Sequence, residues 1–419
     1  MTRVIIGASH HPVHMRIAPM NRPLLTLSIP LFAARAQSEP DICASDEWGC
    51  ARIAPDETVK FAIAAPLTGD SASLGLSYSQ AMQLALMQSE PIEGFTLGQV
   101  DENDRGTREG AVASAERIVA DQTIVALVGH AFSGATIEAL PIYEAAGIPL
   151  LSPTATNPTL TQMGSRVFNR TIFNDNAQGD LAARYLYNAL NITRLALIDD
   201  GSVYAVGLAA VARDRFIELG GEIVGEFQIE PGLDDYTDKL LEIAAVAPNA
   251  IFFPGYTAEV SVIVQNLDAV GLSDVVFIGS DGVNTGTMID LAGAAAEGVY
   301  LTGESLPPDT EDKLAFDQLY RETFGIESNI VSRAIWNTYD AARIVIEAAR
   351  SVAVIGADGA LYIPRGALVA AVRATNGYRG VSGEITCDET GECNTVGPDI
   401  SFIQDGTSVR VPLSVLGGA

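Results

Sequence analysis

The sequence predicts an α/β protein made of two similar lobes, each a doubly wound parallel sheet. Three observations predict it. Apolar runs of strand length show little alternation, amphipathic stretches of about 10–15 residues separate them, and the whole pattern recurs in the second half of the chain. A strand that is apolar on both faces is buried on both, and helices packed on either side are what bury it.

The first series begins with the strand VKFAIAAPL at 59–67, followed by a helix over 79–88 and the strand-like FTLGQVDEN. A helix over 108–120 leads into IVALVGH at 124–130, a helix over 135–146, and IPLLSPT at 148–154. The pattern then restarts. LAARYLYNAL reads as a helix, RLALIDD at 194–200 as a strand, and a further helix runs to Leu219. EIVGEFQIE, AIFFPGY at 250–256, VVFIGSDGV at 275–283 and EGVYLTGE at 297–304 are the remaining strands. Three helical stretches follow (DKLAFDQLYRETFG, AIWNTYDAARIVIEAARS and GALVAAVRATN), and GEITCDETGECNTVGPDISFIQDG reads as a hairpin with a turn-rich tip.

Composition narrows the function. The 419 residues carry 25 Lys+Arg against 52 Asp+Glu, a formal charge of −27. Nucleic acid and anionic membrane need clustered cations, so the acidity counts against both as partners. The charge is uneven: positions 1–36 hold four Arg (Arg3, Arg16, Arg22 and Arg35) and no acid. Within them LLTLSIPLF is a short apolar stretch, and Ala34-Arg35-Ala36 fits a small-x-small cleavage site. This reads as a secretory signal cut before Gln37, with Met15 or Met20 as alternative starts and a helical or disordered arm as the competing interpretation. Three of the four histidines lie within it, leaving His130.

The four cysteines agree with export. Cys43 and Cys50 bracket one short segment, Cys387 and Cys393 another. Four cysteines allow three connectivities; local pairing in an oxidising compartment is the expectation. Zinc is the competitor, but the spacings are not C-x2-C and no histidine lies nearby. Segment 37–57 is expected to be mobile outside the Cys43–Cys50 loop.

Ligands of open parallel sheets bind beyond the carboxyl ends of the strands. Four loops sit there: HAFSGAT at 130–136, PTATNP at 153–158, DDGSVYAVG at 199–207 and GSDGVNTG at 279–286. Ser133 opens a helix, where hydroxyl, free N–H groups and the helix dipole suit a carboxylate; it could equally cap that helix. Thr154 and Thr156 repeat the feature. Asp281 offers an anionic partner for an ammonium group, or forms a turn. Tyr204 and Tyr256 follow strands and present an apolar face with a hydroxyl, unless they only pack on their own lobe.

Enzyme readings find little. No G-x-S-x-G, G-x-x-x-x-G-K-[ST] or G-x-G-x-x-G occurs. A Ser–His pair would have to join Ser133 to His130, and His130 reads better as a satisfied histidine at the edge of the core. The run Asp101–Asp104 lacks calcium-loop spacing. No catalytic residue, metal or cofactor is assigned.

At these loops the chain resembles the leucine/isoleucine/valine-binding family of type I periplasmic binding proteins. The stretches that carry the resemblance are FAIAAPLTGDSASLG, VGHAFSGATIEALPIYEAAGIPLLSPTATNPTLT, RTIFNDNAQG, GYTAEV, GSDGV and EGVYLT. The resemblance implies two lobes joined by three hinge crossings, near 170–171, near Gly303 and around 380–383. On that basis 1–36 is signal, 37–57 an extension, 58–171 plus 304–380 the first lobe, and 172–303 plus 381–419 the second. It further implies that Ser133 and Thr156 hold a ligand's α-carboxylate and ammonium, with Thr154 contributing mainly backbone. Tyr204 and Tyr256 match the family's rim tyrosines, and Asp281 its ammonium-binding acid. Several members have Glu in place of Asp281, and some an aromatic residue where Leu74 stands.

The expectation is a periplasmic, monomeric, non-catalytic solute-binding protein. It would take an amino acid, branched-chain by family precedent, and hand it to an ABC permease in the inner membrane. The alternatives are a receptor for an amide or a small or aromatic carboxylic acid, and a sensory ligand-binding module.

Overall fold

Strand β2 (Val59–Ala65) shows why the first sheet is buried twice over. Its side chains alternate between two apolar clusters: Phe61, Ile63 and Ala65 on one face, Ala62 and Ala64 on the other. This computed structural model describes residues 40–416 except positions 329 and 395, so the expected signal at 1–36 lies outside the described residues.

The strands in chain order are β1 (Cys50–Ile53), β2, β3 (Leu97–Asn103), β4 (Ile124–Gly129), β5 (Leu150–Ser152) and β6 (Phe168–Arg170). Then come β7 (Arg194–Asp199), β8 (Glu222–Gln228), β9 (Ala250–Phe253), β10 (Val276–Gly279) and β11 (Tyr300–Glu304). The C-terminal part adds β12 (Val354–Ile355), β13 (Leu361–Pro364), β14 (Tyr378–Arg379), β15 (Glu384–Cys387), β16 (Cys393–Asn394), β17 (Pro398–Gln404) and β18 (Thr407–Arg410).

The first main sheet has the order β3-β2-β4-β5-β6 and is parallel throughout. The second runs β8-β7-β9-β10-β11 in parallel and is extended by antiparallel β17 and β18. Numbered from its own first strand, each parallel set reads 2-1-3-4-5, the doubly wound order. Helices Ala72–Met87 and Ile335–Val352 cover one face of the first sheet, and Arg108–Ala120 and Ser133–Ala146 the other. In the second sheet β7 and β9 alternate in the same way: Ile198 and Phe253 face one cluster, Leu197 and Phe252 the other.

Helix Ala72–Met87 begins seven residues earlier than the apolar pattern predicts. In this added turn a Cβ on Gly75 would lie 2.1 Å from the Pro66 carbonyl oxygen, so only glycine lets it rest on the chain leaving β2.

Both local disulfides form, Cys43–Cys50 and Cys387–Cys393. The described part of the N-terminal extension docks on the rest of the chain, where the expectation for 37–57 was a segment tied down only at the Cys43–Cys50 loop. Its strand β1 pairs antiparallel with β13, burying Ala51 and Ile53. Asp46 accepts the N–H groups of Gly366 and Ala367 at the start of helix Arg365–Arg373, and the Arg166 guanidinium lies 4.3 Å from the Trp48 ring centre.

The expected C-terminal hairpin divides in two. β14, β15 and β16 form a small antiparallel sheet, with Cys387 directly opposite Cys393, whereas β17 and β18 join the second main sheet. Val381, Ile385 and Cys393 pack in the cluster around the first sheet. The last passage between the sheets therefore lies between β16 and β17, beyond the 380–383 expected. No helix among the described residues is long and apolar enough to cross a membrane.

Candidate functional site

In a 2-1-3-4-5 sheet the switch point lies between its first and third strands, beyond their carboxyl ends. For the first sheet that is the gap between β2 and β4, and for the second the gap between β7 and β9. The loops leaving these strands meet across a cavity lined by Leu74, Tyr78, Ala131, Phe132, Ser133, Thr154, Tyr204, Tyr256, Asp281, Gly282, Glu304 and Ser332.

Five of the six candidate residues line it. Ser133 is the first residue of helix Ser133–Ala146 and does not cap it; the N-cap is Phe132. The Ser133 hydroxyl instead accepts the Asn157 N–H at 3.2 Å, which ties this helix start to loop 153–158. The first N–H groups of the helix have no acceptor within it, so this wall presents donors. The Thr154 hydroxyl is committed to the Ala131 carbonyl at 2.8 Å. Thr156, fully buried, is absent from the lining; it lies behind the wall and its carbonyl accepts the Asp175 N–H.

The second wall is acidic and aromatic. Asp281 opens a short 3-10 turn after β10, and its Oδ1 accepts the Tyr204 hydroxyl and, at 2.8 Å, Gln178 Nε2. Gln178 also donates to the Thr302 hydroxyl. Gly282 keeps the floor open to this arrangement: a Cβ would meet the Gly255 carbonyl oxygen at 2.4 Å and crowd both tyrosine rings. Tyr256 lies 5.6 Å from the Tyr204 ring and stacks on Phe132 of the first wall at 4.6 Å. Asn157 Nδ2 donates to the Val203 carbonyl, a second link between the two sets of loops.

The electrostatics are one-sided. Burial raises the Asp281 carboxyl above its ordinary pKa, opposed by the hydrogen bonds from Tyr204 and Gln178. Burial pushes Glu304 up to about 7, and the negative Asp281 adds to this against the pull of Arg333. Behind the wall, burial and then Asp281 hold Asp175 well above the carboxylate range. Among the described residues no Lys or Arg lines the cavity. Such a site suits a ligand with a cation toward Asp281 and an anion toward the N-terminus of helix Ser133–Ala146.

Tyr78, Phe132, Gln178, Glu304 and Ser332 belong to this site and were not singled out from the sequence. Glu304 had a signal, an acid ending an apolar strand. Tyr78 and Ser332, hydrogen-bonded at 3.2 Å, had none, since 254 positions separate them. His130 is fully buried, its Nδ1 bonded to Asp104 and its Nε2 to the Tyr143 hydroxyl, so it is the satisfied histidine expected and makes no pair with Ser133.

The chain matches the family model described as "Periplasmic binding protein" over residues 58–397. It is 32% identical over 249 residues to the leucine-specific-binding protein of Salmonella typhimurium, covering 59% of this chain and 67% of that protein. Among solved structures it is similar to the Streptococcus pneumoniae branched-chain amino acid transporter substrate binding protein in complex with isoleucine. There the TM-score is 0.74 and the identity 26%, over 85% of this chain and all of that one. A leucine binding protein from Thermotoga maritima shares the fold, with a TM-score of 0.77 at 24% identity over 85% of this chain and 98% of that one. The two-sheet fold, the opposed strand ends and these matches lead to one conclusion: the chain belongs to the periplasmic binding protein family.

Proposed function

We propose that the chain is a solute-binding protein that captures an amino acid between two lobes and delivers it to an ABC importer. The observation that carries this is the opposition of Ser133, at a helix N-terminus, to Asp281, a buried carboxylate held by Tyr204 and Gln178. The first takes the α-carboxylate and the second the α-ammonium. Each contact is stronger for being charge-assisted and shielded from water. The branched-chain class is supported by the relatives named for leucine and by the isoleucine complex, and the apolar Leu74 and Phe132 can face an aliphatic side chain.

In this reading the first lobe is 58–171 with 305–394, and the second is 172–304 with 398–416. Closure brings the two ligand-holding walls together, so the ligand favours the closed form by the contacts available only there. The permease reads that form. The chain works as an exported monomer in the periplasm, its leader at 1–36, and performs no catalysis.

Thermal unfolding of the refolded protein, scanned against amino acids, amides and aromatic acids, tests this. A ligand at 100 times its Kd adds about 2.7 kcal/mol, so stabilisation by leucine, isoleucine or valine is the expected result. Stabilisation only by ligands without an ammonium group would replace the amino acid with an amide or a carboxylic acid.

A further inference from the structure

The loop closed by the Cys387–Cys393 disulfide reaches toward the ligand site from outside it. Its Glu392 carboxylate accepts Arg170 Nε at 2.8 Å and a second bond from Arg170 Nη2, along with Thr161 Oγ1 at 2.9 Å and Asn174 Nδ2 at 3.1 Å. Arg170, the last residue of β6, is fully buried. Its remaining nitrogen, Nη1, donates to the carbonyls of Ala155 and Asn157 at 3.1 and 2.9 Å. These two carbonyls flank Thr156, and on its other side the same loop gives the Asn157 N–H to Ser133.

The position of Glu392 is itself determined. The Asp388 carboxylate accepts the N–H groups of Thr390, Gly391 and Glu392, and the Gly391 carbonyl accepts the Arg170 N–H at 2.9 Å. A Cβ on Gly391 would lie 2.3 Å from the Phe168 carbonyl oxygen, so the loop sits against β6 at backbone distance. A buried guanidinium needs an anion, and only with Glu392 taking one edge can Arg170 stay dry and turn its other nitrogen to two loop carbonyls. Burial works against ionising Glu392, and its bonds with Arg170 outweigh that, holding the carboxyl below its ordinary pKa.

We propose that Glu392 is a positioning residue for ligand binding: through Arg170 it fixes loop 153–158, and so the placement of Thr154, Thr156 and Asn157 against Ser133. The link to affinity rests on the amino-acid reading above, whereas the ordering of the loop does not depend on which ligand binds.

The test compares Glu392→Gln and Glu392→Asp with the unaltered chain by amide hydrogen exchange and by titration with leucine. In Glu392→Gln the amides of Ala155 and Asn157 should lose at least about tenfold in protection while those of β2 and β4 keep theirs, and leucine affinity should fall by about tenfold. Glu392→Asp keeps the charge and shortens the reach, so it should fall between, and it carries the test if the Gln variant does not fold. Unchanged loop protection overturns the proposal, as does a loss spread evenly through β2 and β4. Leucine affinity retained beside a loosened loop overturns the link to the site. If the unaltered chain binds no amino acid, the functional reading fails, and the exchange result still decides whether Glu392 orders the loop.

Discussion

Phe132 and Tyr256 stack across the cleft with ring centres 4.6 Å apart and planes 26° from parallel. One follows β4 of the first sheet and the other β9 of the second, so the stack exists only while the two walls are together. Aromatic pairs contribute about 0.5–1.5 kcal/mol beyond their burial. Phe132→Leu, which keeps an apolar side chain and removes the ring, should weaken leucine binding by about 2- to 13-fold, mainly through faster release. Stopped-flow release with leucine as probe reads this.

Glu304 should make ligand binding pH-dependent. Its carboxyl, raised to about 7, faces the same cavity as Asp281, so an ammonium ligand favours its ionised form. Lowering the pH through 7 protonates it and should weaken leucine binding. In Glu304→Gln that part of the pH dependence should disappear from calorimetric titrations at pH 5.5 and 8.

The same group acts on the ligand-free fold with a defined sign. Its folded pKa of about 7 exceeds the ordinary 4.5, so the unfolded chain releases this proton first and rising pH favours unfolding across that window. The loss is on the order of 3 kcal/mol between pH 4.5 and 7. Glu304→Gln should therefore gain stability relative to the unaltered protein at pH 8 and gain little at pH 5, as read by denaturant midpoints.

Asp46 accepts the N–H groups of Gly366 and Ala367 in the first turn of helix Arg365–Arg373, from a segment more than 300 positions away. Asp46→Ala removes a helix cap and a charge at the positive end of the dipole, worth about 1 kcal/mol. The denaturant midpoint should fall accordingly while leucine affinity stays unchanged, because Asp46 lies outside the cavity lining.

Much of the site could be read from the chain because the doubly wound order places function at strand ends. Ser133, Thr154, Tyr204, Tyr256 and Asp281 each follow an apolar run closely, and the fold brings five separate loops to one cavity. What stayed hidden depends on pairings between distant positions. β1 docks on β13 across some three hundred residues, and neither strand carries a local mark of its partner. The tail looked like a single hairpin, since the alternation of β15 and β17 is alike; only their neighbours assign them to different sheets. Phe132 stands in the loop HAFSGAT with no mark of its own, and its role depends on Tyr256 arriving from the second sheet. Glu392 lay in a turn-rich tip whose only sequence mark was the flanking cysteines.

The central claim is that Asp281 holds the ammonium group of an amino acid. Titration calorimetry of leucine into the refolded protein and its Asp281→Asn variant tests it most directly. The Asn side chain keeps a hydrogen-bond acceptor for Tyr204 and removes the charge. Loss of a buried, hydrogen-bonded charge partner costs at least about 2 kcal/mol, so leucine should bind the unaltered protein and bind the variant about 30-fold more weakly or worse. Equal affinity for leucine in the two proteins would contradict the assignment of the ammonium site to Asp281.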